Sequence, residues 1–457
     1  MSKNKGKFKK AMRPIDVWGL ALGAIIGWGC FVLPGSAFLP KAGPLGTMTG
    51  MLIGALLIIV IALSYGYLIN HFPVSGGEFI YTKEAIGKRN AFVCGWGMIL
   101  AYWSLIPLNA TALALISRYL FPGVVQHGLL YQIAGWDVYA GEVILASAAI
   151  VIMAIVNIRG IKQAAWLQTA ISLLLIGCIF IVTFLVMVSS DWANLAPAFP
   201  DGRRWWTGVF SIVAMAPWAF IGFDCIPQSA EEYNFSHKKS TGIMISAILV
   251  AAILYIAICS VTAVGLKPWQ ELLADRHNWP TGYVVRNTIG LAGLVILGIA
   301  MFCAVVSGMN AFYISTSRLM YAMANEGSLP KWFGQLSTKH GTPKNAILFT
   351  MAASLFAPWF GREVLLWIVD MTSVGAAIVF AYTTASAAII AKRHGHKSEV
   401  WIGAAGCIFS LFFLSLLIIP GMPGYLTFQS RVVLIAWIAI GILFYLKIRK
   451  TYVIKQK

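Results

Sequence analysis

Apolar residues run through this chain in long blocks, separated by short clusters of Lys, Arg, Pro, Gly and Asn. A segment needs roughly 20 apolar residues to cross a hydrocarbon core. On that measure the blocks predict twelve spans, over 15–40, 45–70, 90–120, 141–158, 164–189, 206–230, 241–266, 287–324, 345–361, 365–391, 400–419 and 430–449. The ninth is short and contains Pro358, and the eighth is too long to cross untilted. Between the second and third spans, PVSGGEFIYTKEAIG mixes aromatic and charged residues and reads as an interfacial or re-entrant segment.

Two spans differ from the rest. The first holds GAIIGWGCFVLPG (Gly23 to Gly35) and the sixth holds PWAFIGFDCIPQSAEE (Pro217 to Glu232), so each carries helix breakers at mid-depth. A break in lipid frees backbone polar groups, which are tolerated where they line a cavity and meet a ligand. The half-helix resuming after Gly29 offers N–H groups at the positive end of its dipole, suited to a carboxylate. Carbonyls freed on the sixth span suit an ammonium. Close packing of small residues would also explain the glycines. Against that, IGWGC (Ile26 to Cys30) and IGFDC (Ile221 to Cys225) resemble each other, and they open two successive groups of five spans. Paired breaks of this kind point to a transporter.

Composition fits the membrane reading. Apolar residues are 59% of 457 positions, charged residues 11%, and the mean hydropathy is +0.79. The net charge of +18 would suit nucleic acid, but roughly 25 of the 34 basic residues fall in the two tails and every second connection, as the positive-inside rule requires. Lys83, Lys88, Arg89, Arg159, Lys162, Lys238, Lys239, Lys331, Lys339, Lys344, Lys392, Arg393 and Lys397 all lie on one side of that pattern. The expected location is a cell membrane, multi-pass, with both termini cytoplasmic. The opening MSKNKGKFKKAMR lacks a cleavable leader pattern, so the first apolar block is expected to remain as a span. Seven cysteines stand singly in apolar runs and imply no disulfide framework.

The chemistry-bearing candidates cluster at the breaks. Asp224 is the carboxylate nearest mid-membrane, where it could bind a cation, carry a proton, or sit neutral against a carbonyl. Asn109 in the third span reads as an interhelical hydrogen bond. Trp28, Trp218, Phe220, Phe223 and Phe312 could box an organic cation, although most of the 17 tryptophans belong to interface belts or packing. Glu78, Glu231, Glu232 and Arg318 lie at span ends, as an ion-paired gate or as snorkelling surface charges. No nucleophile with a base and no His–carboxylate cluster shares one depth, so the sequence predicts a protein that is not an enzyme and needs no cofactor or metal. A channel would show charged rings or a symmetric filter.

Four motifs in order, GAIIGWGCF, PVSGGEFIYTKEAIG, FIGFDCIPQSAEE, and SRLMYAMANEGSLPKWFG with TPKNAI, make the chain resemble the amino acid-polyamine-organocation superfamily of permeases. The resemblance implies an all-α membrane fold of twelve helices: a five-plus-five inverted repeat, with the first and sixth helices discontinuous, and two additional C-terminal helices. On this chain that gives a basic tail (1–14), two five-helix repeats (15–189 and 206–391), two further helices (400–449) and a cytoplasmic tail (450–457). It further implies that amides from Gly27 to Gly29 hold a substrate carboxylate and that carbonyls near Ala24, Trp218 and Ile221 hold its amino group. Trp218 would cap the site, and Phe312 and Ile106 would wall it.

Two positions depart from the family pattern. Trp28 stands where a small residue is common, which favours a small substrate. A fifth-span lysine of some sodium-independent members aligns with Leu175. The expected function is secondary transport of a small amino acid by alternating access, with proton symport or exchange. The alternative is a polyamine or organic-amine carrier in which Asp224 recognises the cation. The partners implied are that substrate, membrane lipid and a coupling proton, with no nucleic acid. The pattern sets no oligomeric state.

Overall fold

The computed structural model describes residues 8, 10–133, 136–202, 204–275, 277–361 and 363–454, with the backbone alone for 161–165, 363–366 and 448–454. Expectations for the tails over 1–7, 9 and 455–457, and for the Lys162 side chain, lie outside the described residues.

The chain is helical almost throughout, and its breaks fall at Gly and Pro. In order the helices are α1 (Pro14–Ile25), α2 (Gly29–Leu33), α3 (Leu39–His71), α4 (Gly77–Ala85) and α5 (Lys88–Leu120). A hairpin of β1 (Leu129–Ile133) and β2 (Trp136–Tyr139) follows, which the apolar pattern did not predict. Then come α6 (Ala140–Arg159), α7 (Ile161–Ser189), α8 (Trp205–Val213), α9 (Ala216–Ala219), α10 (Cys225–Gln228), α11 (Ser240–Val264), α12 (Trp269–Ala274), α13 (Pro280–Ile289) and α14 (Leu291–Asn325). The last four are α15 (Lys344–Ser354), α16 (Glu363–His394), α17 (Lys397–Ile418) and α18 (Phe428–Ile454).

Among the described residues nine helical stretches are long and apolar enough to cross a membrane. The twelve predicted spans reduce to these nine for visible reasons. The first two run as one stretch, Pro14–His71, turned at Gly43 and Pro44. The sixth is fragmented into α8, α9 and α10, each too short alone. The ninth is only α15 and a 3₁₀ turn at Ala357–Phe360. The overlong eighth is two helices, because Gly290 ends α13 before α14 begins.

The core forms around α1 and the broken sixth segment. α1 packs on α7, α11 and α14, while α3 packs on α8, α9 and α11. Small residues allow the close approaches: a Cβ on Gly50 would stand 2.6 Å from Ile212 Cβ, and one on Gly54 2.7 Å from Ala216 Cβ. At the periphery, only 33% of the apolar window of α7 and 11% of that of α18 are buried. Trp166, Phe180, Phe184 and Trp401 therefore project outward, as side chains facing lipid do.

Candidate functional site

The first break is short. Ile26 leaves the helical region (φ −86°, ψ 85°), and the chain resumes at Gly29. The Gly27 N–H donates back to the Ile25 carbonyl at 3.1 Å. The Trp28 N–H turns to Asn109 Oδ1 on α5, at 3.3 Å. Asn109 is itself anchored, since its Nδ2 donates to the Leu105 carbonyl at 2.8 Å and the side chain sits between Gly27 and Gly308 of α14. Its bond does join two helices, as the sequence suggested, but it lands on the break itself. Of the three amides expected to hold a carboxylate, Gly29 is the one with no acceptor among the described residues.

The second break spans Phe220 to Asp224. Its pivot is Gly222 at φ 130°, a conformation that a side chain would strain. A Cβ there would also stand 2.6 Å from Ala24 Cβ and 2.7 Å from the Ile25 amide. The two breaks are therefore in direct contact, backbone to backbone, with the last turn of α1 against the turn after Ile221. Asp224 fixes this turn, since its Oδ1 accepts the Gly222 N–H at 2.7 Å. Its Oδ2 is buried without a hydrogen-bond partner.

The tryptophans meet over the first break. Trp218 lies on Gly29, where a Cβ would fall 2.1 Å from its Cη2. Trp28 packs edge-on against Trp218 with ring centroids 6.1 Å apart. Both indole N–H groups are buried without a hydrogen-bond partner, and it is the carbon edge of the Trp218 ring that lies against Gly29. Ile106, one turn before Asn109 on α5, and Phe312, one turn after Gly308 on α14, are both buried beside this junction. Phe220 turns away, packing on Tyr255 at 6.1 Å, and Phe223 packs between Tyr65 and Phe380.

The α7 face toward α1 is polar, and among the described side chains it holds no lysine. Gln168 and Ser172 donate to the Gly19 carbonyl at 3.1 and 2.9 Å, and Asn310 donates to Gln168 at 2.9 Å. Ser307 donates to the Gly23 carbonyl at 3.1 Å. Leu175, buried further along α7, is not among these contacts.

The two ends of the molecule differ. Lys83 on α4 pairs with Glu326 after α14 at 2.8 Å, which puts the start of α5 and the end of α14 together. At that end Arg318 pairs with Glu232 at 2.5 Å, both side chains at most 4% exposed. Glu231, the neighbour expected to share this role, instead accepts the Ser75 N–H at 2.9 Å. The N-terminal segment crosses the same junction: Ala11 and Met12 donate to the Glu232 carbonyl at 2.9 and 3.0 Å, and Met12 bridges Tyr233. Arg118 lies roughly 45 Å away along α5, at the rise of an α-helix. There it pairs with Glu142 and stacks on Trp136. Between this far end and the breaks lies a small cavity of about 50 Å³, lined by Val32, Thr111, Leu115, Trp136 and Glu142 and reaching Trp28. That is room for water and less than a small-molecule site needs, so in this conformation the site is closed down.

Comparison with known proteins is consistent with this geometry. The family model described as amino acid permease matches residues 14–444. A methylthioribose transporter of Bacillus subtilis (strain 168) is 28% identical over 97% of this chain and 94% of its own length. The branched-chain amino acid permease BcaP of the same organism is 29% identical over 76% of this chain and 74% of its own. An aspartate-proton symporter, also from Bacillus subtilis (strain 168), is 28% identical over 78% of this chain and 68% of its own.

Proposed function

From the premise that this chain belongs to the amino acid permease family, within the amino acid-polyamine-organocation superfamily, we propose that it carries a small amino acid across the cell membrane by alternating access, with symport of a proton. The observation that carries this reading is the contact of the two helix breaks, Gly222 against Ala24 and Ile25, beneath Trp28 and Trp218. The free Gly29 amide suits the substrate carboxylate. Carbonyls around Ala24, Trp218 and Ile221 suit its ammonium. Trp28 takes up room above the break and favours a short side chain.

The wider architecture in this proposal is twelve crossings, with 15–189 and 206–391 as inverted repeats, 400–449 as two added helices, and both termini in the cytoplasm. Supporting it, basic residues gather at the end closed by Arg318 and Glu232: Lys83 pairs there, and Arg393 donates to the Glu84 and Ala85 carbonyls at 2.9 and 2.8 Å. The cavity at the opposite end then faces outward, and Arg318 with Glu232 forms the inner gate.

A second reading has an observation of its own. The Oδ2 atom of Asp224 is buried beside the breaks with no cationic partner and no well-formed hydrogen bond among the described residues, the Tyr102 hydroxyl being within reach, and an acid so placed suits a polyamine or other organic cation. The test is a thermal-shift screen of the detergent-purified protein against small amino acids, their decarboxylated amines, polyamines and a neutral thiosugar. A ligand at 100 times its Kd stabilises by about 2.7 kcal/mol. Stabilisation by amino acids supports the proposal. Stabilisation by amines alone transfers the role of cation binder to Asp224, and stabilisation by the thiosugar alone overturns both readings.

A further inference from the structure

Glu78 is a buried acid that the transport reading leaves unused. The sequence offered it as part of an ion-paired gate or as a snorkelling charge, yet the residue is 0% exposed and forms no ion pair among the described residues. The local sequence explains why. Gly76 (φ 101°) and Gly77 (φ 37°) turn the chain abruptly, and a Cβ on Gly77 would stand 3.1 Å from Pro227 Cβ. α4 thus begins directly on α10, and Glu78 Oε2 accepts a hydrogen bond from Gln228 Nε2. Gln228 is one helical turn beyond Asp224, so the two carboxyls share one buried site.

Around them lies a concentration of buried polar atoms. Glu78 Oε1, Asp224 Oδ2, Gln228 Oε1 and the hydroxyls of Tyr65 and Tyr102 make no well-formed hydrogen bond. The Tyr65 hydroxyl nevertheless lies close enough to Glu78, and that of Tyr102 to Asp224, to bond after a small adjustment. The other titratable groups facing the pair are Tyr81 from α4, Cys94 from α5 and Cys225 from α10, none of them basic. α14 presents the Ser315 hydroxyl and α16 that of Thr383. Among the described residues neither carboxyl has a Lys, Arg or His in salt-bridge reach. Two adjacent buried acids without a counter-charge repel when both are ionised, and a shared proton relieves that repulsion. Buried polar atoms in such a group are bridged by water, which also conducts protons.

We propose that Asp224 and Glu78 form a two-carboxyl proton relay from the helix breaks toward the end closed by Arg318 and Glu232. Asp224 takes the coupling proton beside the substrate. Its O–H then breaks toward a bridging hydroxyl or water, and an O–H forms on the Glu78 carboxylate, so that the negative charge passes from Glu78 to Asp224. Gln228 positions Glu78 and carries no proton. This inference rests on the proton-coupled reading above, and its failure can be told apart from a failure of that reading.

The experiment uses the full chain in liposomes loaded with a pH-sensitive dye, with L-alanine as probe. Two rates are measured: counterflow exchange of labelled alanine, and lumenal acidification driven by an alanine gradient. For the wild type both are expected. Glu78→Gln is expected to keep exchange and lose acidification, because the amide holds the Gln228 contact but accepts no proton. Where Glu78→Gln folds poorly by thermal shift, Glu78→Asp carries the test, since it keeps the carboxyl and is expected to acidify. Undiminished acidification by Glu78→Gln overturns the relay, as does its loss in folded Glu78→Asp. A wild type that exchanges alanine without moving protons overturns the relay and leaves amino acid transport standing. A wild type that neither binds nor exchanges alanine overturns the relay together with the transport reading for this substrate.

Discussion

Asn109 Oδ1 accepts the backbone N–H of Trp28 at 3.3 Å, so a side chain on α5 completes the hydrogen bonding of an interrupted helix. In a continuous helix that N–H would go to Ala24, and the Ala24 carbonyl is thereby released from that bond. Asn109→Ala strands the amide in a buried place at a cost of about 1–3 kcal/mol. The expected result is a roughly tenfold or greater rise in KM for uptake, since 1.4 kcal/mol is a factor of ten in affinity. Asn109→Asp, which keeps the acceptor, should rescue most of it.

Trp28→Ser should widen the substrate range. The indole walls the inner end of the small cavity below Trp136 and leans on Trp218, so its removal opens space above the break. Competition of alanine uptake by phenylalanine and leucine measures this. An unchanged inhibition profile would show that the indole does not limit the pocket.

Asp224→Asn preserves the contact that shapes the turn, because the amide oxygen can still accept from the Gly222 N–H. The protein should therefore fold with near wild-type thermal stability while transport falls or loses its pH dependence. Transport equal to the wild type from acid to alkaline pH would refute a coupling role.

Two glycine variants give a matched comparison. Gly29→Ala places a methyl 2.1 Å from Trp218 Cη2, so the indole must move off the break and ligand stabilisation in the thermal screen should disappear. Gly177→Ala, in the middle of α7 with nothing within 4 Å, should leave transport unchanged and stabilise by about 1 kcal/mol through helix propensity.

Breaking the Arg318–Glu232 pair from one side isolates a buried charge. Glu232→Gln or Arg318→Met should each cost about 3–5 kcal/mol of stability, and replacing both with apolar residues should recover much of it. Transport by the double variant should remain impaired, since the gate would no longer close on a specific contact. A double-mutant cycle on melting temperature, run beside uptake, separates the two effects.

The breaks were legible in the sequence because Gly and Pro interrupt apolar runs at matching places, a purely local signal. The helices beyond them were legible for the same reason, down to a few residues at most ends. What escaped depends on partners far away in the chain. Asn109 stands in a mostly apolar stretch of its helix, and nothing in its neighbourhood says that its acceptor faces Trp28. Glu78 reads as a surface acid until α4 is laid on α10. Glu231 and Glu232 are adjacent on a 3₁₀ turn and point to different neighbours, Ser75 and Arg318, because the broken segment leaves their phase unset by any regular helix. The split of the eighth block at Gly290 was missed because one glycine in a long apolar run is also compatible with an unbroken helix.

The strip of chain just before α1 is sewn onto the turn that follows the sixth segment, with Ala11 and Met12 donating to the Glu232 carbonyl and Asn234 donating back to Met12 at 3.1 Å. Any motion that separates Arg318 from Glu232 must either carry this strip along or peel it away. On the proposed alternating-access cycle the strip is a leash on the inner gate, and a fusion partner or affinity tag attached ahead of it should then slow transport more than the same tag placed after α18.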